Sequence, residues 1–310
     1  MANINIKEIS RKKELFTGGH RLCAGCGAGI VARQVLMAVD RPVVVTNATG
    51  CLEVSSTIVP YTAWEVPWFH SAFENAAAAS ASGIEAAYRS LRRQGRITAD
   101  ILFIVFGGDG GTYDIGLQSL SGAMERGHRL LYVCYNNQAY MNTGIQRSGA
   151  TPQGAHTTTA PVGQVRPGKE QTSKDLTAIM AAHDLPYVAQ ASISYWNDFI
   201  TKVQKALNTD EPTFINVLQP CRLGWGYDPA DTLELARLAV ETCAWPVYEV
   251  VGGNYRITRK PREKKPLTEF LKRQSRFRHL FSAENRPFLE SLQADVDRKW
   301  EKLKELEARG

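Results

Sequence analysis

The chain has 310 residues, 44% of them hydrophobic, which is enough to bury a sizeable core. Its formal charge of +6 comes from basic residues scattered along the sequence, with one cluster over residues 255–278. A solvated face or a docking surface for an acidic electron carrier fits that distribution better than a nucleic-acid footprint. Neither a bilayer-length apolar run nor a signal peptide is present, so the expectation is a cytoplasmic protein with no membrane and no nucleic-acid partner.

In chain order, Ile6–Leu15 has helix potential and Gly18-Gly19 closes it. His20-Arg-Leu-Cys23-Ala-Gly-Cys26-Gly follows, a CxxC ahead of a helix over Ala28–Ala38. That spacing alone suits a redox dithiol, half of a zinc site or part of an iron–sulfur site. Val43–Thr46 reads as a strand, and Asn47-Ala-Thr-Gly50-Cys51 places a third cysteine at its end. Residues 60–87 combine Trp64, Trp68 and His70 with an alanine-rich helix from Phe73 onward, whose small residues favour a buried or subunit-facing position. Glu74 and Glu85 read there as solvated or first-turn carboxylates, and His70 as a structural hydrogen-bonding residue.

Ile101–Phe106 is a β-branched and aromatic run that reads as a buried parallel strand. It ends in Gly107, Gly108, Asp109, Gly110 and Gly111, a turn that lets backbone approach a bulky anion and puts a carboxylate at the strand's carboxyl end. A helix over Ile115–Arg126 and a strand over Leu130–Tyr135 complete a βαβ unit that ends at Asn136-Asn137. An Asp and an Asn oxygen at one sheet edge suit Mg²⁺, which takes few protein oxygens and completes its shell with phosphate and water. These glycines do not fall at the GxGxxG spacing, and no acidic residue follows the next strand where a ribose would need it.

Residues 149–169 lack hydrophobic period and read as an ordered loop, with Thr151, His156 and Thr157 to Thr159 near the entrance of the cofactor site. A helix over Asp175–His183, a strand from Tyr187 to Ala189, a helix over Asn197–Leu207 and a strand over Phe214–Leu218 lead to Cys221. The alternation across residues 30–218 predicts an α/β fold with a doubly wound parallel sheet. Beyond Trp225 the pattern changes to a helix over Thr232–Thr242, a hairpin over Val247–Ile257 turning at Gly252-Gly253, and a charged helix from about Asn285. The division expected is therefore a cofactor-binding module over residues 1–225 and a subunit-contacting extension over 226–310. Cys23, Cys26, Cys51 and Cys221 supply the four thiols a 4Fe-4S cluster needs, whereas Cys134 and Cys243 read as buried structural thiols.

The GDG turn followed at a distance by Asn136-Asn137 resembles the thiamine-diphosphate signature. Together with YTAWEVPWFHSAFENAAAASASGIEAA, GGDGGTYDIGLQSLSGAMERGH, YMNTGIQRSGATP and the CxxC, it makes nearly the whole chain resemble the β subunit of 2-oxoacid:ferredoxin oxidoreductases, of the pyruvate type. The resemblance implies thiamine diphosphate, Mg²⁺ and a proximal 4Fe-4S cluster on Cys23, Cys26, Cys51 and Cys221. It implies Mg²⁺ on the Asp109 and Asn137 side chains and the Ala139 carbonyl, and Asn142 reaching toward the substrate–thiazolium adduct. Gly50, Cys51, His70, Gly108, Gly110, Gly111, Asn142 and Thr143 complete the expected cofactor surroundings. An α subunit is expected to supply the aminopyrimidine-binding module and its glutamate, γ- or δ-type subunits further clusters, and ferredoxin the electron acceptor.

Two departures from that family's usual pattern concern charge. Asn136-Asn137-Gln138-Ala139-Tyr140 stands where DNEAY is common, and Arg222-Leu223 follows Cys221 where Pro-Thr is common. Both add positive potential and motivate a second reading, an oxalate oxidoreductase that needs no coenzyme A because both carbons leave as carbon dioxide. The sequence also leaves open a non-redox thiamine decarboxylase or synthase and a non-catalytic iron–sulfur electron-transfer subunit.

Overall fold

Alternate residues of the apolar runs point to opposite faces, and each face is covered by its own helices, as period-two strands buried on both sides require. The computed structural model describes residues 6–310. Strands β1 (Val43–Asn47), β2 (Trp68–His70), β3 (Leu102–Gly108), β4 (Leu131–Asn136), β5 (Tyr187–Ser192), β6 (Thr213–Leu218), β7 (Val247–Val251) and β8 (Asn254–Arg259) form one sheet in the order β2-β1-β3-β4-β6-β5-β7-β8. The first six run parallel; β7 is antiparallel to β5, and β8 to β7.

Ile104, Phe106, Val133, Tyr135, Ile215 and Val217 face helices Gly27–Met37 and Trp196–Leu207. Phe103, Val105, Tyr132, Cys134, Phe214 and Val188 face helices Ala77–Arg93, Leu117–Glu125 and Leu176–Ala181. A third apolar cluster joins Leu218 and Ala155 to Trp225, Trp245, Phe270, Phe277 and Leu292, so the C-terminal segment packs against the body. The hairpin turns at Gly252-Gly253, both at positive φ (53° and 82°), the geometry of a two-residue hairpin turn that matches strand twist.

The strand order reverses between β1 and β3: the chain leaves β1 toward β2 on one side and leaves β3 toward β4 on the other. Open α/β sheets bind ligands in the crevice at such a point, outside the carboxyl ends of the strands. That places the β1 end (Asn47 to Cys51), the β3 end (Gly108 to Gly111) and the β4 end (Asn136-Asn137) around one crevice.

The predicted doubly wound sheet is present, with four local corrections. The helix expected over Ile6–Leu15 spans only Ile6–Ile9, because Lys12 Nζ donates to the carbonyls of Met37 (2.9 Å) and Val39 (3.1 Å) and draws the chain across the neighbouring helix end. The helix expected from Phe73 begins at Ala77, because Ser71 Oγ bonds the carbonyls of Asn47 and Phe73 and ties this stretch to the end of β1. The helix expected over Ile115–Arg126 is a π-helical turn over Gly110–Ile115 followed by helix Leu117–Glu125. Strand β2 carried no period-two signal; it is a three-residue edge strand. Among the described residues no helix is long and apolar enough to cross a membrane.

Candidate functional site

The crevice is lined by Thr49, Gly50, Cys51, Glu74, Gly108, Asp109, Gly110, Gly111, Tyr135, Asn137, Ala139, Tyr140, Met141 and Asn142, and encloses about 330 Å³ including its open mouth. Nine residues singled out from sequence therefore meet in one place. His70 and Thr143 do not line it. His70 Nε2 lies 2.8 Å from Thr49 Oγ1, one residue removed from the crevice, and Thr143 Oγ1 donates to Gln146 Oε1 at 2.6 Å in an exposed turn. Thr151 is wholly buried behind the site rather than at its entrance.

Asp109 is 1% exposed. Its Oδ1 accepts from the Asn137 backbone N–H at 3.0 Å and its Oδ2 from Ser148 Oγ at 2.5 Å. Burial nevertheless pushes the carboxyl from an ordinary 3.8 up to about 7; the Ser148 and Asn137 hydrogen bonds offset only part of the desolvation. Ser148 is itself held by Thr151, which donates to the Gln138 carbonyl at 2.6 Å. Asn137 Oδ1 accepts from the Ala139 N–H at 3.3 Å, and Asn137 O accepts from Trp225 Nε1 at 2.7 Å. The Tyr135 hydroxyl is buried at the crevice wall with no hydrogen-bond partner among the described residues.

The glycines here are spaces as well as hinges. A Cβ at Gly110 would stand 2.3 Å from the Tyr140 ring, whose hydroxyl donates to the Gly110 carbonyl at 2.8 Å. Glu74 enters the crevice from the segment ahead of helix Ala77–Arg93, half-buried and with its acidity weakened by burial. Glu85, by contrast, is buried behind the sheet and paired to His128 (2.8 Å) and Arg89 (3.0 Å), a structural role.

Four thiols gather beside this crevice. Cys26 caps helix Gly27–Met37, Cys51 opens helix Cys51–Ser56, and Cys221 caps the short turn Arg222–Trp225. The CxxC loop is drawn to the other two by close packing: Gly25, at φ 71°, leaves no room for a Cβ beside Pro229, and Gly27 presses on Gln219. Cys26 is acted on by Cys221, Cys51 and Cys23, Cys51 by Cys221 and Cys23, and Cys221 by Cys23. Burial and this mutual repulsion push Cys26 up to about 12 and Cys51 up to about 11, and raise Cys221. Helix-terminal thiols are ordinarily acidic, so these would be poor nucleophiles unless a metal takes their protons. No three acidic, histidine or cysteine groups among the described residues form a mononuclear metal site. A cubane makes a different demand, since each cysteine binds a separate iron. Asn142 joins the two halves, lining the crevice and hydrogen-bonding the Cys51 thiol. Cys134 and Cys243 are buried away from the four.

Sequence reasoning missed Ser148, Tyr135, Tyr140 and Arg276, whose roles depend on tertiary placement. Arg276, from the C-terminal segment, is 4% exposed and lies over the Trp225 ring at 4.0 Å. Its Nη2 donates to Gln138 Oε1 at 2.5 Å. A larger cavity, about 2000 Å³ including its open mouth, lies between the sheet and the C-terminal helix, with Gln138 and Phe277 in its lining.

The family model for the thiamine pyrophosphate enzyme C-terminal TPP binding domain matches residues 48–217, more than half of the chain. Sheet, switch-point crevice and this match define the class: a thiamine-diphosphate-binding enzyme module. The chain is 54% identical to the pyruvate synthase subunit PorB of Thermotoga maritima, over 98% of this chain and 97% of that one. It is 56% identical to the PorB subunit of Methanocaldococcus jannaschii, over 93% and 96% respectively. The chain belongs to this family, the β subunits of 2-oxoacid:ferredoxin oxidoreductases, and is an oxidoreductase subunit. A solved 2-oxoglutarate:ferredoxin oxidoreductase from Magnetococcus marinus shares the fold, with TM-score 0.55 and 20% identity, over 76% of this chain and 81% of that one.

Proposed function

We propose that this chain is the thiamine-diphosphate- and cluster-binding subunit of a pyruvate:ferredoxin oxidoreductase, which converts pyruvate and coenzyme A to acetyl-CoA, carbon dioxide and reduced ferredoxin. The observation that carries the substrate is the 54% identity, over nearly the full length of both chains, to a pyruvate synthase subunit. The donor set suits a metal-held diphosphate. Asp109 is a buried carboxyl with no ion pair among the described residues, Asn137 and Ala139 offer oxygens in the same crevice, and the Tyr135 hydroxyl lacks a partner there. When bound, thiamine diphosphate supplies a thiazolium that stabilises the carbanion left by decarboxylation.

In this reading Asp109, Asn137 and the Ala139 carbonyl hold Mg²⁺, and Gly108, Gly110 and Gly111 let the backbone close on the diphosphate. Asn142 orients the substrate end while touching Cys51, a ligand of the cluster that Cys23, Cys26 and Cys221 complete. The crevice itself offers only about 30 Å³ of room for a ligand, so most of the cofactor would lie outside its mouth, toward the α subunit. Phe73, next to crevice-lining Glu74, is 71% exposed, which suits a surface covered by an α subunit carrying the aminopyrimidine site and its glutamate. Residues 226–310 serve as the extension that meets further subunits, and ferredoxin is the final acceptor in the cytoplasm.

Of the residues behind the charge argument for oxalate, Asn136 and Gln138 lie outside the crevice lining. Asn136 bonds Tyr113, Asn216 and the Gln138 N–H, and Gln138 bonds Arg276. The assembled enzyme, assayed with a viologen acceptor, is expected to turn over pyruvate with coenzyme A and leave oxalate untouched. Turnover of oxalate without coenzyme A would overturn the pyruvate assignment.

A further inference from the structure

Arg276 reaches both halves of the site through their neighbours, Trp225 and Gln138. It stacks on Trp225, and Trp225 completes the turn that Cys221 begins, its backbone N–H bonded to Cys221 O at 2.9 Å and its Nε1–H to Asn137 O at 2.7 Å. Its Nη2 donates to the side chain of Gln138, the residue after Asn137. On the other side Nε donates to Gln274 Oε1 at 2.9 Å, and the Phe277 ring lies 5.0 Å away. Both hydrogen-bond acceptors are neutral amides, and no carboxylate among the described residues pairs with this buried guanidinium.

Burying a charge without an opposite one is costly, and breaking such a pair is strongly destabilising, so an unpaired buried cation calls for an anion. Guanidinium stays protonated in proteins, which removes the escape that a lysine would have. The groups that act on Arg276 are Cys221, Asp109 and Tyr227; burial keeps the Tyr227 phenol protonated, and Cys221 becomes an anion once a metal takes its proton. Mg²⁺ on Asp109 would cancel that carboxylate. The four-cysteine group therefore remains as the standing anion, since four thiolates leave a cubane net negative and reduction adds one more negative charge.

We propose that Arg276 is the built-in countercharge of the 4Fe-4S cluster on Cys23, Cys26, Cys51 and Cys221, and that it raises the cluster's reduction potential. The neutral amide of Gln138 keeps that charge uncancelled. Arg276 acts through the field at the cluster and touches no reacting atom; it is a positioning residue for charge. The proposal rests on the cluster reading above.

The test is a potentiometric titration of the anaerobically assembled enzyme, with dithionite as reductant and mediators present, read by electron paramagnetic resonance. The signal of this cluster is assigned by its loss from a Cys221→Ser variant. Gln138→Glu, which keeps Arg276 and adds a carboxylate beside it, and Arg276→Gln are compared with the parent at the parent's midpoint. In both, the reduced-to-oxidised ratio is expected to fall about tenfold, equivalent to about 59 mV for one electron. Arg276→Lys is expected to recover most of the ratio. An unmoved potential in Gln138→Glu, with full iron and sulfide, overturns the inference alone. Parent enzyme lacking the Cys221-dependent cluster overturns the cluster reading and the inference together.

Discussion

Asp109→Asn separates what the crevice does for the fold from what it does for the cofactor. With the carboxyl pushed from 3.8 up to about 7, the folded chain without a cation disfavours the ionised form by about three pKa units, on the order of 4 kcal/mol. The sign follows from linkage. The folded state holds its proton to higher pH than the unfolded state, so stability falls as pH rises from about 4 to about 7 and stays at the lower level above. Asparagine has no ionised form, and the Ser148 hydroxyl and the Asn137 N–H can still pair with it. The cation-free Asn variant is therefore expected to be more stable than the parent at pH 8 by about 2–4 kcal/mol, the advantage vanishing below pH 4. At about 2 °C or more per kcal/mol, thermal unfolding of the assembled enzyme in chelator resolves it. Magnesium and thiamine diphosphate should reverse the order. Saturation at 100 times Kd stabilises the parent by about 2.7 kcal/mol and the variant hardly at all. An Asn variant that melts below the parent in chelator at pH 8, or gains equally from the cofactor, refutes the reasoning.

Other outcomes follow from the same geometry. Because metal binding must displace the Asp109 proton, affinity for Mg²⁺ and thiamine diphosphate should weaken below pH 7, by up to about tenfold per unit; isothermal titration at pH 8 and 6 checks this. Gly110→Ala drives a methyl into the Tyr140 ring, should cost about 1–3 kcal/mol and abolish cofactor binding; unchanged binding by fluorescence quenching would contradict the placement of that ring. Cys221→Ser should strip the subunit's cluster, whereas Cys134→Ala and Cys243→Ala should keep it, as counted by iron and acid-labile sulfide.

The parallel sheet was legible because its strands are unbroken apolar runs, and Asp109, Asn137 and the cysteines because they sit at strand ends next to glycines or helix starts. What escaped prediction depends on partners far apart in sequence. Strand β2 owes its conformation to pairing with β1 and not to its own pattern. Ser148 matters only because the loop after Tyr140 folds back on Asp109, 39 residues away. Arg276 reaches Gln138 across 138 residues, which no local period encodes. The expected helix from Phe73 failed for a similar reason: Ser71 is tied to the end of β1, which leaves Glu74 free to face the crevice.

Imaging the cofactor-loaded, anaerobically assembled enzyme by electron cryomicroscopy tests most directly whether one sheet edge carries both an electron source and its first acceptor. The expected map shows a cubane bonded to all four of Cys23, Cys26, Cys51 and Cys221, and a metal-bound diphosphate against Asp109 and Asn137. A cubane that leaves Cys221 unbonded, or a diphosphate seated away from Asp109, would contradict the account.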